Sequence, residues 1–183
     1  MITTAQPTKL ARLLERLDAL RSRATIEQLT EWLGETDLTT SDVAHYVRFG
    51  ERNYLRNQVR GGEWYHLLVI CWRSGQRSPI HNHAASTCGL KVLTGVATET
   101  KFAFTPCGLI KAVSSADMGT GEIVASQDAD IHQVSNLQPA GQDLITLHIY
   151  SPPLLRMDTY SLTDGLIREY MPIIHEYTMG GGI

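Results

Sequence analysis

His81 and His83 stand at i and i+2, and on an extended chain successive side chains alternate faces, so both imidazoles point the same way. That is half of a metal site. Arg56, two residues after Tyr54, offers a planar guanidinium fork suited to bidentate capture of a carboxylate. Thr146, His148 and Tyr150 occupy i, i+2 and i+4, so a hydroxyl, an imidazole and a phenol project from one face of one strand. A threonine hydroxyl beside a histidine can set the imidazole tautomer. These residue types suit a metal ion, a carboxylate-bearing ligand and a polar relay.

The elements that must position them fall into two textures. Leu10, Leu13, Leu14, Leu17 and Leu20 lie on one helical face, which predicts an amphipathic first helix. Thr25 and Gln28 form a capping box that opens a second helix through Ile26, Leu29 and Leu33, closed by Gly34. A short third helix is expected over 41–49, with Val43, Tyr46 and Val47 as its apolar side. All three are expected to pack over one end of a sheet. After Gly61-Gly62 the chain turns to short β-branched and aromatic runs broken by glycine, proline and polar turns. Strands are expected near 64–72, 78–83, 88–93, 97–104, 109–113, 121–125, 131–135, 144–150, 157–161 and 166–170, with Asp164-Gly165 as a hairpin turn between the last two. The fold class expected is mainly β, a sandwich or barrel with N-terminal helices. One domain over 1–183 is expected, with a helical cap at 1–50 and the barrel at about 60–178.

With 183 residues, 43% hydrophobic and 19% charged, the chain can bury a single core without disulfide staples. A formal charge of −3 leaves no basic footprint for nucleic acid. Cys71, Cys88 and Cys107 are odd in number and form no CxxC, which argues against a disulfide framework or a zinc ribbon. Leucines alternate with Lys9, Arg12, Glu15, Arg16 and Asp18 near the start, so no signal-peptide core is expected there. No run approaches the ~18 apolar residues of a membrane span. A cytoplasmic monomer without membrane or nucleic-acid partners is expected.

Around His81 and His83 the chain resembles the first cupin motif: a glycine, five residues, His-x-His, three or four residues, a glutamate, six residues and a glycine. Gly75, His81, His83, position 88 and Gly95 keep that spacing, but Cys88 stands where most cupins carry a metal-binding glutamate. In the second motif Gly121, His132 and Asn136 match, while Gln127 and Ala129 replace the usual proline and glycine. The resemblance implies a cupin jelly-roll barrel and a third ligand, giving His81, His83 and His132. Three neutral imidazoles suit a divalent first-row metal and leave its full charge to attract an anionic substrate. Ligand type alone leaves zinc and iron both open.

Within the cupins the chain looks like the thiol dioxygenases, and among them the cysteine dioxygenase family, over roughly 54–153. Three passages carry the likeness: Tyr54-Leu55-Arg56-Asn57; the run from Leu67 through Trp72 into Ser78-Pro79-Ile80-His81-Asn82-His83 and Cys88; and Thr146-Leu147-His148-Ile149-Tyr150-Ser151-Pro152-Pro153, with Thr146 for the usual serine. The resemblance implies an Fe(II) enzyme that converts L-cysteine and O2 to cysteine sulfinic acid. It places Arg56 and Tyr54 at the substrate carboxylate, Tyr150 and His148 in a relay beside the metal, and Thr146 behind His148. It also implies a thioether between Cys88 and Tyr150 and a cis peptide at Ser151-Pro152. Cys71 and Cys107 read as buried small hydrophobes. Relatives that prefer 3-mercaptopropionate tend to carry glutamine at the position of Arg56, so cysteine is expected and 3-mercaptopropionate dioxygenase is the alternative. A metal-binding cupin sensor without turnover is a rival of another class, and a structural zinc cupin a third.

Overall fold

Thr8 accepts a hydrogen bond from the Ala11 amide at 3.1 Å and so caps α1 (Lys9–Asp18). Thr25 and Gln28 bond reciprocally, at 2.9 and 3.2 Å, to open α2 (Ile26–Glu35). This is the capping box read from the sequence. The third helix is a 3-10 helix, Thr40–Tyr46, with Val43 buried. The structure, a computed structural model, describes residues 8–127 and 130–177.

Among the described residues eleven strands follow: β1 (Leu55–Gly62), β2 (Tyr65–Trp72), β3 (Ile80–His81), β4 (Thr87–Thr94), β5 (Ala97–Phe104), β6 (Ile110–Met118), β7 (Ile123–Gln127), β8 (Ile131–Ser135), β9 (Leu144–Ser151), β10 (Met157–Tyr160) and β11 (Arg168–Tyr170). They form a five-stranded sheet, β1-β2-β9-β4-β7, and a six-stranded sheet, β11-β10-β3-β8-β5-β6. The expected second cupin turn falls between β7 and β8; Gln127 ends β7, and Ala129 lies outside the described residues.

The helices cover the outer face of the five-stranded sheet rather than its end. Leu13, Leu17, Leu29 and Leu33 share one core with Leu67, Val69, Leu147 and Ile149. The alternate residues Leu68, Ile70, Trp72, Leu90 and Val92 form a second core between the sheets. Covered on both faces, β2 and β9 read as near-continuous apolar runs instead of alternating ones. Gly89 is the close approach between α2 and β4: a Cβ there would lie 3.0 Å from Leu33 Cδ1 and 3.1 Å from Leu29 Cβ. Gly89→Val is therefore expected to lever α2 outward and to cost about 1–3 kcal/mol, read as a lowered denaturant midpoint with unchanged slope. A midpoint equal to the parent's would show that the helix yields without strain.

Several elements differ from the sequence reading. The sequence showed no strand at β1 because Arg56, Asn57, Gln58 and Arg60 break any apolar alternation. Tertiary bonds satisfy the buried Asn57: its amide donates to the Arg48 carbonyl at 3.0 Å, and the Tyr177 hydroxyl donates to its Oδ1 at 2.9 Å. The chain end also returns to β1, with His175 N donating to the Arg56 carbonyl at 2.9 Å. Regular pairing at β3 shrinks to Ile80–His81, since Pro79 has no amide to donate. The chain stays extended nonetheless, because Ser78 N bonds Val134 O at 2.9 Å and Asn82 N bonds Asp158 O at 3.2 Å. β10 and β11 pair antiparallel, but a loop over 161–167 replaces a tight Asp164-Gly165 turn. Cys71 is buried as expected, whereas Cys107 is exposed in the β5–β6 connection. Gly95 adopts a φ of +86° between β4 and β5, where a Cβ would meet the Asp143 carbonyl at 2.7 Å, so the motif glycine is sterically required. The Ser151-Pro152 peptide is cis.

Candidate active site

His81 on β3 pairs directly with His132 on β8, and the extended chain carries His83 to the same side. Asn82, between them, points away and bonds Asp158 and Tyr160 at 3.2 and 3.0 Å. One ring nitrogen from each of His81, His83 and His132 lies within 4.8 Å of the others, and all three residues are buried. Their outer nitrogens are engaged elsewhere. His81 Nδ1 donates to the Pro79 carbonyl at 2.9 Å, His132 Nδ1 donates to Glu99 Oε1 at 2.7 Å, and His83 Nδ1 lies 3.3 Å from Ser126 Oγ.

A carbonyl and a carboxylate only accept, so His81 and His132 each carry a proton on Nδ1 and turn Nε2 inward. His132 Nε2 and His83 Nε2 approach to 3.1 Å, a separation at which two lone pairs repel unless a proton or a cation lies between them. Burial and the neighbouring imidazoles push His81 down to about 3 and His83 well below the ordinary histidine value, so these rings are neutral at physiological pH. Buried neutral nitrogens converging on one point fit a divalent first-row cation.

The second polar group stands on β9. Trp72 Nε1 donates to Thr146 Oγ1 at 3.0 Å, Thr146 Oγ1 lies 2.9 Å from His148 Nε2, and Tyr150 Oη lies 3.2 Å from His148 Nδ1. The indole fixes Thr146 as an acceptor on one side. The threonine proton then goes either to the Ile70 carbonyl, at 3.4 Å, or to His148. In the second setting His148 donates to the phenol oxygen, and the phenol proton is free to turn into the pocket. Burial raises Tyr150 and holds His148 well below its usual range, so a neutral phenol faces a neutral imidazole.

Arg56 is 4% exposed, and among the described residues its Nε and Nη2 have no hydrogen-bond partner. Its guanidinium sits 5.1 Å from the centre of the Tyr150 ring. Tyr54 stacks on Trp72 with ring centres 4.2 Å apart. Both residues line the cavity that holds the three histidines, His148 and Tyr150.

The model of the family described as cysteine dioxygenase type I matches residues 1–163. The chain belongs to that family. Cysteine dioxygenase type 1 of Homo sapiens is 29% identical over 154 residues, covering 81% of this chain and 76% of the human protein. The Danio rerio protein of that name is 27% identical over 145 residues, covering 76% and 72%. A Klebsiella pneumoniae protein described as having a double-stranded β-helix domain superposes with a TM-score of 0.54 at 18% identity, over 64% of this chain and 88% of its own. That likeness bears on the fold alone, which is the cupin jelly roll.

In this cysteine dioxygenase family member, Cys88 sits directly opposite Tyr150 in the β4–β9 register. Burial pushes its thiol up to about 12. Register also separates Cys88, which faces the cavity, from Gly89, which faces α2. Every site residue singled out from the sequence therefore borders one cavity or, for Thr146, supports its wall. Glu99, Ser126 and Trp72 are functional neighbours that residue spacing did not reveal. Only Glu99 left a trace, as an acidic residue inside a β-branched run. Burial alone would raise Glu99, but the hydrogen bond from His132, with Lys101 nearby, holds it below the usual carboxylate value. Among the described residues, no helix is long and apolar enough to cross a membrane.

Proposed function

We propose that this protein is an iron(II)-dependent cysteine dioxygenase that converts L-cysteine and O2 to cysteine sulfinic acid, acting as a cytoplasmic monomer. The observation that carries this reading is the pair of unpartnered guanidinium nitrogens on buried Arg56, in the cavity that also holds three convergent imidazoles. A small ligand bearing both a thiol and a carboxylate satisfies both features.

Iron(II) held by His81, His83 and His132 would supply the Lewis-acid and electron-transfer chemistry that O2 requires. Arg56 captures the carboxylate through a charge-assisted fork. Tyr54, braced on Trp72, closes that end of the ligand with a phenol that burial keeps protonated. Ile70, Leu90 and Val134 line the cavity with apolar surface and exclude water from the sulfur. Tyr150 offers its hydroxyl to the reacting oxygen, and His148, oriented by Thr146, selects the direction of that proton. The thiol takes up both oxygen atoms, RSH + O2 giving RSO2H, so no external reductant is consumed.

The deciding experiment loads the chain anaerobically with Fe(II) and follows O2 uptake with L-cysteine against 3-mercaptopropionate. One O2 consumed per sulfinate formed, with higher kcat/KM for cysteine, is expected. Preference for 3-mercaptopropionate would assign the alternative substrate, and uptake with neither would leave a binding cupin.

The reading extends to Cys88 and Tyr150. A thioether between Cys88 Sγ and a ring carbon beside the phenol oxygen would form with loss of the thiol and ring hydrogens, as two electrons and two protons reduce one O2 to hydrogen peroxide. The link would hold the phenol in one rotamer before the reaction and so improve turnover without being required for it. Peptide mass spectrometry after aerobic turnover should show the two peptides joined with loss of two hydrogens. Cys88→Ser should lack the link and keep partial activity. If native chain never shows it under turnover, Cys88 merely fills the place of the cupin glutamate.

A further inference from the structure

Position 88 lies opposite Tyr150 and carries a thiol, so the usual cupin position contributes no negative charge to the three imidazoles. A carboxylate reaches them from another strand. Glu99 on β5 lies opposite Val134 on β8, two residues from His132, and a diagonal cross-strand neighbour is within reach of a long side chain. Its Oε1 accepts from His132 Nδ1 at 2.7 Å, and the Glu99 side chain is 12% exposed. The other two imidazoles rest on neutral groups, the Pro79 carbonyl and the Ser126 hydroxyl. Among the described residues, Glu99 is the carboxylate bonded to a member of the triad.

We propose that Glu99 returns to the centre, one hydrogen bond removed, the negative charge that a cupin glutamate would supply as a direct ligand, making His132 the strongest of the three donors. A carboxylate bonded to the outer N–H of an imidazole fixes the tautomer and raises the basicity of the inner nitrogen, and charge-assisted bonds of this kind are roughly twice as strong as neutral ones. The negative charge also favours the higher oxidation state of a bound iron. Glu99 acts through His132 and is a positioning residue. The proposal rests on the three-histidine metal reading above.

The test uses full-length chain, stripped of metal and titrated anaerobically with Fe(II) against a chromophoric chelator, followed by a mediated measurement of the Fe(III)/Fe(II) midpoint potential. Glu99→Gln keeps the size and an acceptor oxygen but removes the charge. It should still bind one iron per chain, with Kd raised ~10- to 100-fold and a more positive midpoint potential. Ser126→Ala, which deletes a neutral partner of His83, should change Kd much less. Equal Kd and potential in native and Glu99→Gln would overturn the proposal, as would an equal loss in Ser126→Ala. If Glu99→Gln lowers the melting temperature of the metal-free chain, Glu99→Asp takes its place. Its shortened carboxylate should lose the bond to Nδ1 and give the same direction of change, and native values there would overturn the proposal. If native chain binds no iron at all, the metal reading has failed, and that outcome is distinct from an unchanged Glu99 variant.

Discussion

His132→Ala is expected to leave a folded chain that binds little iron and shows no cysteine-dependent O2 uptake, and His81→Ala and His83→Ala should behave alike. His132 Nε2 lies 3.1 Å from His83 Nε2, and His132 pairs directly with His81 across β3 and β8, so removing it leaves a flat two-nitrogen site. Loss of an outer hydrogen-bond partner costs ~10- to 100-fold in metal affinity; loss of a ligand should cost more. The β8 ladder to β3 and β5 is backbone-made, so the fold should persist. Glu99, which is only partly buried, loses its partner, so a small loss of stability is expected. Iron per chain, O2 uptake and circular dichroism read the three effects separately. Full occupancy and activity in His132→Ala would sink the three-histidine assignment.

Arg56→Ala is expected to lose most kcat/KM for L-cysteine and little for cysteamine, which has a thiol and an amine but no carboxylate. Breaking a buried, hydrogen-bonded charge pair costs about 2–5 kcal/mol, or roughly thirtyfold to several thousandfold in kcat/KM. Lysine should not restore the loss, since a point charge lacks the planar fork. Stability should move the other way. Arg56 is buried with two unpartnered nitrogens, and removing an uncompensated buried cation relieves a desolvation cost, so the melting temperature should hold or rise. Equal losses on both thiols, or a lowered melting temperature, would make Arg56 a support of the barrel.

Much of the site was legible because its signals are local. The i, i+2 spacing of His81 and His83 and the i, i+2, i+4 spacing of Thr146, His148 and Tyr150 need only an extended chain to put each group on one face. The capping box at Thr25 needs only one helical turn. Turn glycines such as Gly95 report a backbone conformation written into a few residues. The likeness that joined His132 to the first two histidines lay in the spacing of a second motif, so it too could be read along the chain.

What depends on closing the barrel could not be read that way. β1 carries polar residues that look like a loop until Arg48, Tyr177 and the returning His175 supply their partners. Whether Cys88 or Gly89 faced the cavity was decided by register with β9, since a shift of one residue exchanges the faces of a strand. The Glu99 carboxylate on His132, the Ser126 hydroxyl on His83 and the Trp72 indole on Thr146 each join side chains at least 33 residues apart. Period, turn chemistry and ligand spacing are properties of neighbouring residues and are carried by the sequence itself. The partner that sets the charge or tautomer of a buried side chain is chosen by sheet register and closure, and these exist only once the whole chain has packed.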